Sequence, residues 1–229
     1  MLLSILIPTL ERRRPSFERL RAALDAQIRA RGASDRVEIL AACDGGRVPT
    51  GTKRNGLVAR ARGEFVASVD DDDAVNDAYI PSLLAAIEGS PRADCVGIVG
   101  EVRFRGGHTR RFVSSRRNTE YRTEGGVILM PPNHLNPIRR EIALRYPFED
   151  VWRDEDSDWA MRISRDGAIR EEAFVGEPLY VYNSRRLWAY QRLVEATEFV
   201  RHPLGIRLQH RTRVRRWVRK TVLRKEGRP

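Results

Sequence analysis

Four consecutive aspartates, Asp70 to Asp73, stand directly behind the apolar run Phe65-Val66-Ala67-Ser68-Val69. Adjacent carboxylates repel one another, so a chain keeps such a run where water or a cation screens it. The segment before it is short and apolar, which predicts a buried strand. Carboxylates at the carboxyl end of a buried strand lie where open α/β sheets take their ligands. Hard divalent cations choose oxygen ligands and often arrive with a substrate's phosphates. An acidic run taken alone reads equally well as a solvated turn, so the rest of the sequence has to decide.

The surrounding pattern favours a sheet. Residues 2–8 read as a first strand. Phe17, Leu20, Leu24 and Ile28 recur at helical spacing, with Pro15 near the start and Gly32 past the end, so a helix follows. Residues 37–43 form a second strand that runs into the turn signal Asp44-Gly45-Gly46. A short helix around 54–60 leads to the strand before the acidic run. A helix over 79–87 and a strand over 95–104 come next. Strands alternating with helices in this way imply a parallel sheet with crossover helices. Residues 105–122 are polar and Arg-rich, which suggests hairpins or a mobile loop. A short strand over 127–130, a helix over 155–164 and a final strand over 179–183 complete the body. Two basic helices, separated by Pro203 and Gly205, are expected after it. No internal repeat is visible.

A chain of 229 residues can bury a sizeable core. Charged residues at 32% and hydrophobic ones at 41% suit a soluble globular protein. Cys43 and Cys95 show no CxxC pairing and lie in apolar segments. They read as buried thiols in a reducing compartment. No apolar run reaches the roughly 18 residues a transmembrane helix requires. The apolar start lacks a basic leader and a small-residue cleavage site, so it reads as a strand rather than a signal peptide. The net charge of +11 is unevenly spread: residues 185–229 hold fourteen Arg and Lys against three Glu, and residues 1–184 balance. That asymmetry suggests a neutral catalytic body with a basic attachment segment.

The ordered pieces Ile5-Leu6-Ile7-Pro8-Thr9, Asp44-Gly45-Gly46, Lys53-Arg54-Asn55-Gly56, Ala61-Arg62-Gly63-Glu64-Phe65-Val66 and Val69-Asp70-Asp71-Asp72-Asp73 resemble the nucleotide-sugar half of family 2 glycosyltransferases with the GT-A fold. Glu155-Asp156-Ser157-Asp158-Trp159 resembles that family's acceptor-side acidic motif. The resemblance covers roughly residues 1–185, and its weight comes from the order and spacing of several pieces, each unspecific alone. It implies an α/β GT-A-like domain over residues 1–186 with a mixed, mostly parallel sheet. A nucleotide-sugar half would span 1–104 and an acceptor half 105–186, with a basic amphipathic helical extension over 187–229.

The resemblance also assigns roles. Pro8, Thr9, Glu11, Asp44, Lys53, Arg54, Asp70 and Asp71 are implied on the nucleotide-sugar. The Asp-x-Asp element aligns as Asp70-x-Asp72, with Asp72 and Asp70 holding Mn²⁺ or Mg²⁺ against the diphosphate. Asp71 is then the odd residue, left to solvent. Asp156 is implied as the general base that takes the proton of the acceptor hydroxyl in an inverting transfer. Glu155, Trp159 and His134 are implied or suggested at the acceptor or sugar. From the residues alone, Asp44 reads first as a turn former. The Glu155-Asp156 cluster reads equally as an acidic first helical turn, and His134 as a turn or cap residue. Relatives often complete the metal site with a histidine after the last strand. Here Tyr180-Val181-Tyr182-Asn183-Ser184-Arg185 has none, leaving Asn183, water or His202 for that place.

The functional expectation is a cytoplasmic, metal-dependent, inverting glycosyltransferase that uses a nucleotide-sugar, with UDP-sugars foremost. Its acceptor is a glycan, a lipid-linked glycan or a protein. The tail mixes Trp188, Trp217 and spaced aliphatics with many Arg, so peripheral contact with an anionic membrane at the inner face competes with packing on the domain. The alternatives are an Asp-x-Asp phosphate-handling hydrolase and a non-enzymatic basic nucleic-acid-binding protein. Against the first, Ala74-Val75 stands where such enzymes carry Thr or Ser. Against the second stand the neutral body and the absence of a nucleic-acid-binding motif.

Overall fold

A computed structural model describes residues 1–152 and 154–187. The expected basic helices lie outside the described residues. The chain divides into two compact units: Met1–Val102 with Arg110–Asn183, and Arg103–Thr109 with Ser184–Pro229. In the second unit residues 103–109 form a tight turn, where the Phe104 N–H donates to the His108 carbonyl at 2.8 Å. Gly106 and Gly107 carry φ of 99° and 88° there, values that glycine adopts without a Cβ penalty. The first unit holds the candidate site.

The first strand, β1 (Leu3–Leu10), is buried from Leu3 to Thr9. A strand covered on both faces has to be a near-continuous apolar run, and Leu3-Ser4-Ile5-Leu6-Ile7 is one. It pairs in parallel with β2 (Val37–Asp44), from Leu3↔Val37 to Leu10↔Asp44. On its other side it pairs in parallel with β3 (Phe65–Ser68), from Leu3↔Phe65 to Leu6↔Ser68. These registers bring Leu10, Asp44 and the acidic run out at one sheet edge.

Beyond β3 the sheet changes character. A two-residue strand, β9 (Ile138–Arg139), runs antiparallel between β3 and β5 (Cys95–Arg105). β6 (Thr109–Ser114), β8 (Val127–Met130) and β7 (Arg122–Glu124) continue outward, giving the order β2-β1-β3-β9-β5-β6-β8-β7. The long β10 (Glu172–Leu187) pairs with β4 (Ala74–Val75) through Tyr180↔Val75. The result is the α/β fold with a mixed sheet that the sequence predicts. The pattern does not announce β4, β7 and β9: each is two or three residues long, too short for any periodicity.

Helices cover both faces. α1 (Arg14–Ala30) and α3 (Tyr79–Gly89) pack together, and α2 (Thr50–Arg60) packs with α4 (Arg140–Arg145) and α5 (Glu155–Arg165). Leu6, Leu57, Val66, Ile138, Phe148 and Trp159 belong to the core on the α2 side. Strand alternation sends Ile5 and Ile7 to the opposite face. The expected helix starts and stops hold: Pro15 lies in the first turn of α1, and Gly32 follows it with φ 62°. The expectation for Cys43 fails. Cys95 is buried, but Cys43 lies near the end of β2 and is exposed.

Gly51 is a packing requirement. A Cβ there would sit 1.8 Å from the Glu149 carbonyl oxygen. Its own N–H donates to the Val151 carbonyl at 3.2 Å. The missing side chain lets the loop ahead of α5 lie directly on the start of α2, which brings the two halves of the candidate site together.

Candidate active site

The ends of β1, β2 and β3 meet α2 at a set of charged side chains that pair with one another. Lys53 is buried; its ammonium donates to the Thr9 carbonyl at 2.8 Å and pairs with the Asp44 carboxylate. The second Asp44 oxygen accepts the N–H groups of Arg47 and Val48 at 2.6 and 2.9 Å. The Lys53 contact comes first among the causes that bring the Asp44 carboxyl down to about 2, and the two turn amides add to it against the cost of burial. Asp44 is thus both a turn former and an ion-pair partner. Glu11 is exposed, and its carboxylate lies 3.5 Å from where a Cβ on Gly45 would be. Pro8 and Thr9 are buried in the last turns of β1.

Arg54 is 3% exposed and ties three elements together. From α2 it donates to Asp70 at 2.8 Å and to Glu155, at the start of α5, at 3.0 Å. Its guanidinium also lies 5.8 Å from the Phe148 ring centroid. One guanidinium nitrogen, Nη1, is buried with no partner. Glu155, suggested by resemblance at the acceptor, is instead buried against Arg54. Lys53 and Arg54, implied on the nucleotide-sugar, both turn inward onto protein partners.

The acidic run alternates. Asp71 is 2% exposed; it accepts from the Thr9 hydroxyl and from Arg13 Nη1, each at 2.7 Å. The expectation that Asp71 is solvated is therefore wrong: it is the anchor of the loop. Asp73 is also buried. It accepts from the Tyr180 hydroxyl at 2.7 Å and from the Asn183 N–H at 2.8 Å. Burial first, and the neighbouring charge of Asp70 second, push its carboxyl up to about 8. Asp70 and Asp72 keep side-chain exposures of 29% and 32% and face outward. Burial alone would raise the Asp70 carboxyl, but Arg54 and then His134 hold it far below the ordinary carboxylate range. Arg13 lies 3.4 Å from Asp72 and is a site residue the sequence reading missed; its place at the end of a basic 3₁₀ turn, Glu11–Arg13, was the available signal. Asn183, at the place of the absent histidine, donates from its side chain to the Asp72 carbonyl at 2.8 Å.

Asp156 sits in the first turn of α5 with 34% side-chain exposure. Asp154, just before the helix, has φ 65°, the single positive value at a non-glycine among the described residues. Asp tolerates the left-handed region better than most residues, and such outliers gather at functional sites. His134 lies between the two halves. Its ring is 6% exposed, with Nε2 3.8 Å from Asp70 and Nδ1 3.5 Å from Asp156. Tyr121 is a further neighbour that the sequence did not flag. Desolvation first, and then the Asp156 charge, raise its phenol, against bonds to Ser157 and Asn133. Trp152, 53% exposed, stands on the loop before α5. Trp159 is not at the site: it is 2% exposed and stacks on Phe148, with ring centroids 4.7 Å apart.

Among the described residues no cluster of three or more His, Cys, Asp or Glu side chains could hold a metal by itself. The donor chemistry still fits a hard cation. Asp72 offers a half-exposed carboxylate, and Mg²⁺-type sites commonly use one or two carboxylates with substrate phosphates supplying the rest. Asp70 fits less well as a direct ligand, since Arg54 already holds one of its oxygens and His134 lies near the other.

The fold and this edge of the sheet define a class, the GT-A architecture. Residues 50–147 match the family model described as glycosyl transferase family 2. Among solved structures, S. aureus TarS 1–349 in complex with UDP-GlcNAc is similar at 14% identity and a TM-score of 0.55, over 81% of this chain and 59% of that one. TarS 1–349 in complex with UDP is similar at 17% identity and a TM-score of 0.54, over 80% and 61%. The chain thus spans about three fifths of those TarS chains. Likeness at such identity establishes the fold. No curated protein sequence matches the chain.

Proposed function

We propose that the protein is an inverting glycosyltransferase that moves a sugar from a nucleotide-sugar, a UDP-sugar foremost, to an acceptor hydroxyl. The observation that carries this reading is the meeting of three outward carboxylates. Asp70 and Asp72 come from the end of β3 and Asp156 from α5, brought together at one sheet edge by the buried Arg54 and His134. The family-model match over residues 50–147 and the nucleotides in the TarS complexes support it.

Each group then has a task. The rim formed by Glu11, Gly45 and Asp44 takes the nucleoside, with the Asp44 turn held in place by Lys53. Asp72 is the residue that would hold Mn²⁺ or Mg²⁺, with Asp70 beside it. When bound, that cation offsets the negative charge that develops on the departing diphosphate. Arg13, shared between Asp71 and Asp72, adds a fixed positive charge on the same side. Asp156 accepts the acceptor hydroxyl's proton while that oxygen attacks the anomeric carbon and the carbon–phosphate-oxygen bond breaks. General-base help of this kind is worth roughly 10²- to 10⁴-fold. Tyr121 and Trp152 flank the acceptor approach. The acceptor is a hydroxyl of a glycan, a lipid-linked glycan or a protein. The basic residues 187–229 are proposed to dock on an anionic membrane at the cytoplasmic face. No helix among the described residues is long and apolar enough to cross one.

The test is nucleotide release from a panel of UDP- and GDP-sugars, with Mn²⁺ or EDTA, by wild type and Asp156→Asn. Release that needs a divalent cation and is lost in Asp156→Asn supports the reading. Equal release by both proteins, or none from any donor, refutes it.

A further inference from the structure

The turn over residues 133–137 is built far more rigidly than a loop requires. The Asn136 side chain donates to the Val96 carbonyl at 2.9 Å and accepts from the Ser114 hydroxyl at 2.6 Å and the Asn133 N–H at 3.0 Å. Asn133 in turn accepts the Leu135 N–H at 3.0 Å. The His134 carbonyl accepts the Ser68 N–H at 2.7 Å, two residues before the acidic run. Every one of these bonds fixes backbone or asparagine, and none uses the imidazole.

That imidazole is 94% buried on the count of its 6% side-chain exposure, yet both ring nitrogens are without a hydrogen-bond partner. A buried polar group left unpaired is costly, so a rigid cage that holds one calls for an explanation. Each nitrogen faces a carboxylate oxygen from one half of the site: Asp70 at 3.8 Å from Nε2 and Asp156 at 3.5 Å from Nδ1. Hydrogen bonds in active sites are often long before substrate binds and tighten in its complex.

We propose that His134 is a positioning residue, which aims the Asp156 carboxylate through Nδ1 and registers it against Asp70 across the donor site. This role rests on the transferase reading above. It differs from contact with the sugar, because the ring has almost no free surface to offer a ligand. Misplacing a reacting group by about 1 Å can cost about 100-fold in rate, so aiming one carboxylate is a sufficient task for a caged ring.

The experiment uses UDP release from whichever UDP-sugar the full chain turns over, with water as the acceptor. His134→Ala is expected to lower kcat by about 10- to 100-fold, with KM for the donor and Kd for UDP changed by less than about twofold. In the Asp156→Asn background the same substitution is expected to add nothing, because a residue that acts through another is silent once that other is gone. His134→Asn places an amide near the Nδ1 position and is expected to recover activity. His134→Gln reaches the Nε2 position and is expected to recover little. Independent losses in the double variant, a loss in KM instead of kcat, or rescue by Gln instead of Asn would each overturn the proposal. A wild type that releases no nucleotide overturns the transferase reading instead. A denaturant double-mutant cycle on His134→Ala and Asp156→Asn then still reads the contact itself. Zero coupling there overturns it.

Discussion

The proposed donor side and the proposed acceptor side of this site are built on opposite plans. On the donor side Lys53, Arg54, Asp71 and Asp73 are all buried, and each has its partner within the protein. On the acceptor side Asp156, Asp158, Tyr121 and Trp152 are all a third or more exposed. A prepaid set of fixed charges suits a ligand with invariant parts, such as a diphosphate. Exposed side chains suit a partner that varies. The difference also predicts how each side responds to damage: the donor side through stability, the acceptor side through rate.

The largest effect is expected on the acceptor side. Asp156→Asn should lower turnover by about 10²- to 10⁴-fold while the melting temperature stays near wild type and UDP affinity is kept. A large loss of stability would erase the contrast. Next comes Arg54→Met, the donor-side counterpart. Removing one partner of a buried charge pair typically costs about 3–5 kcal/mol, because Asp70 and Glu155 are left facing each other without compensation. Denaturant unfolding reads this directly. A change under about 1 kcal/mol would mean that water reaches the pair.

Thr9→Val removes the buried hydroxyl that donates to Asp71, and the unsatisfied carboxylate should cost about 1–3 kcal/mol. Asp71 also keeps Arg13, so the lower end is expected. The Asp44 turn gives a pH signature. Lys53 and the turn amides hold its carboxyl at about 2 in the folded chain, against about 3.9 unfolded. The folded value is depressed, so the stability it contributes is present above about pH 4 and is lost as pH falls toward 2. Asp44→Asn should flatten that part of the stability–pH profile, and an unchanged profile would sever Asp44 from Lys53. The smallest effect belongs to neither side. Arg14 and Glu18 form an exposed i,i+4 pair on α1 at 2.7 Å, and Glu18→Ala should move stability by less than about 0.5 kcal/mol.

The same division runs through what could be read in advance. The donor half was legible element by element: β1, β2, α2 and β3 all fall within a few residues of their expected bounds. Their signals are local, because an apolar run, a Gly turn and a helical spacing each lie within one short window of chain. Past residue 104 the windows are shorter than the signal. β7 and β9 are three and two residues long, and their strand character comes from neighbours already in place.

Within the site, sequence determined which chemical groups are available: an acidic run behind a strand, two cations at the opening of a helix, and an acidic pair at the start of another. Composition and spacing are enough for that, since they depend on residues adjacent in the chain. Only the tertiary structure decided which of those groups face out. Asp71 turns inward because Thr9 and Arg13, about sixty positions earlier in the chain, are there to meet it. Arg54 is a buried tie because Glu155, 101 positions later, reaches it. His134 stands between Asp70 and Asp156 because β9 enters the sheet beside β3 and carries the turn before it to the strand's end. Pairings at that separation leave no periodic trace in the sequence: they follow from the order of strands in the sheet, and burial then makes each partner obligatory.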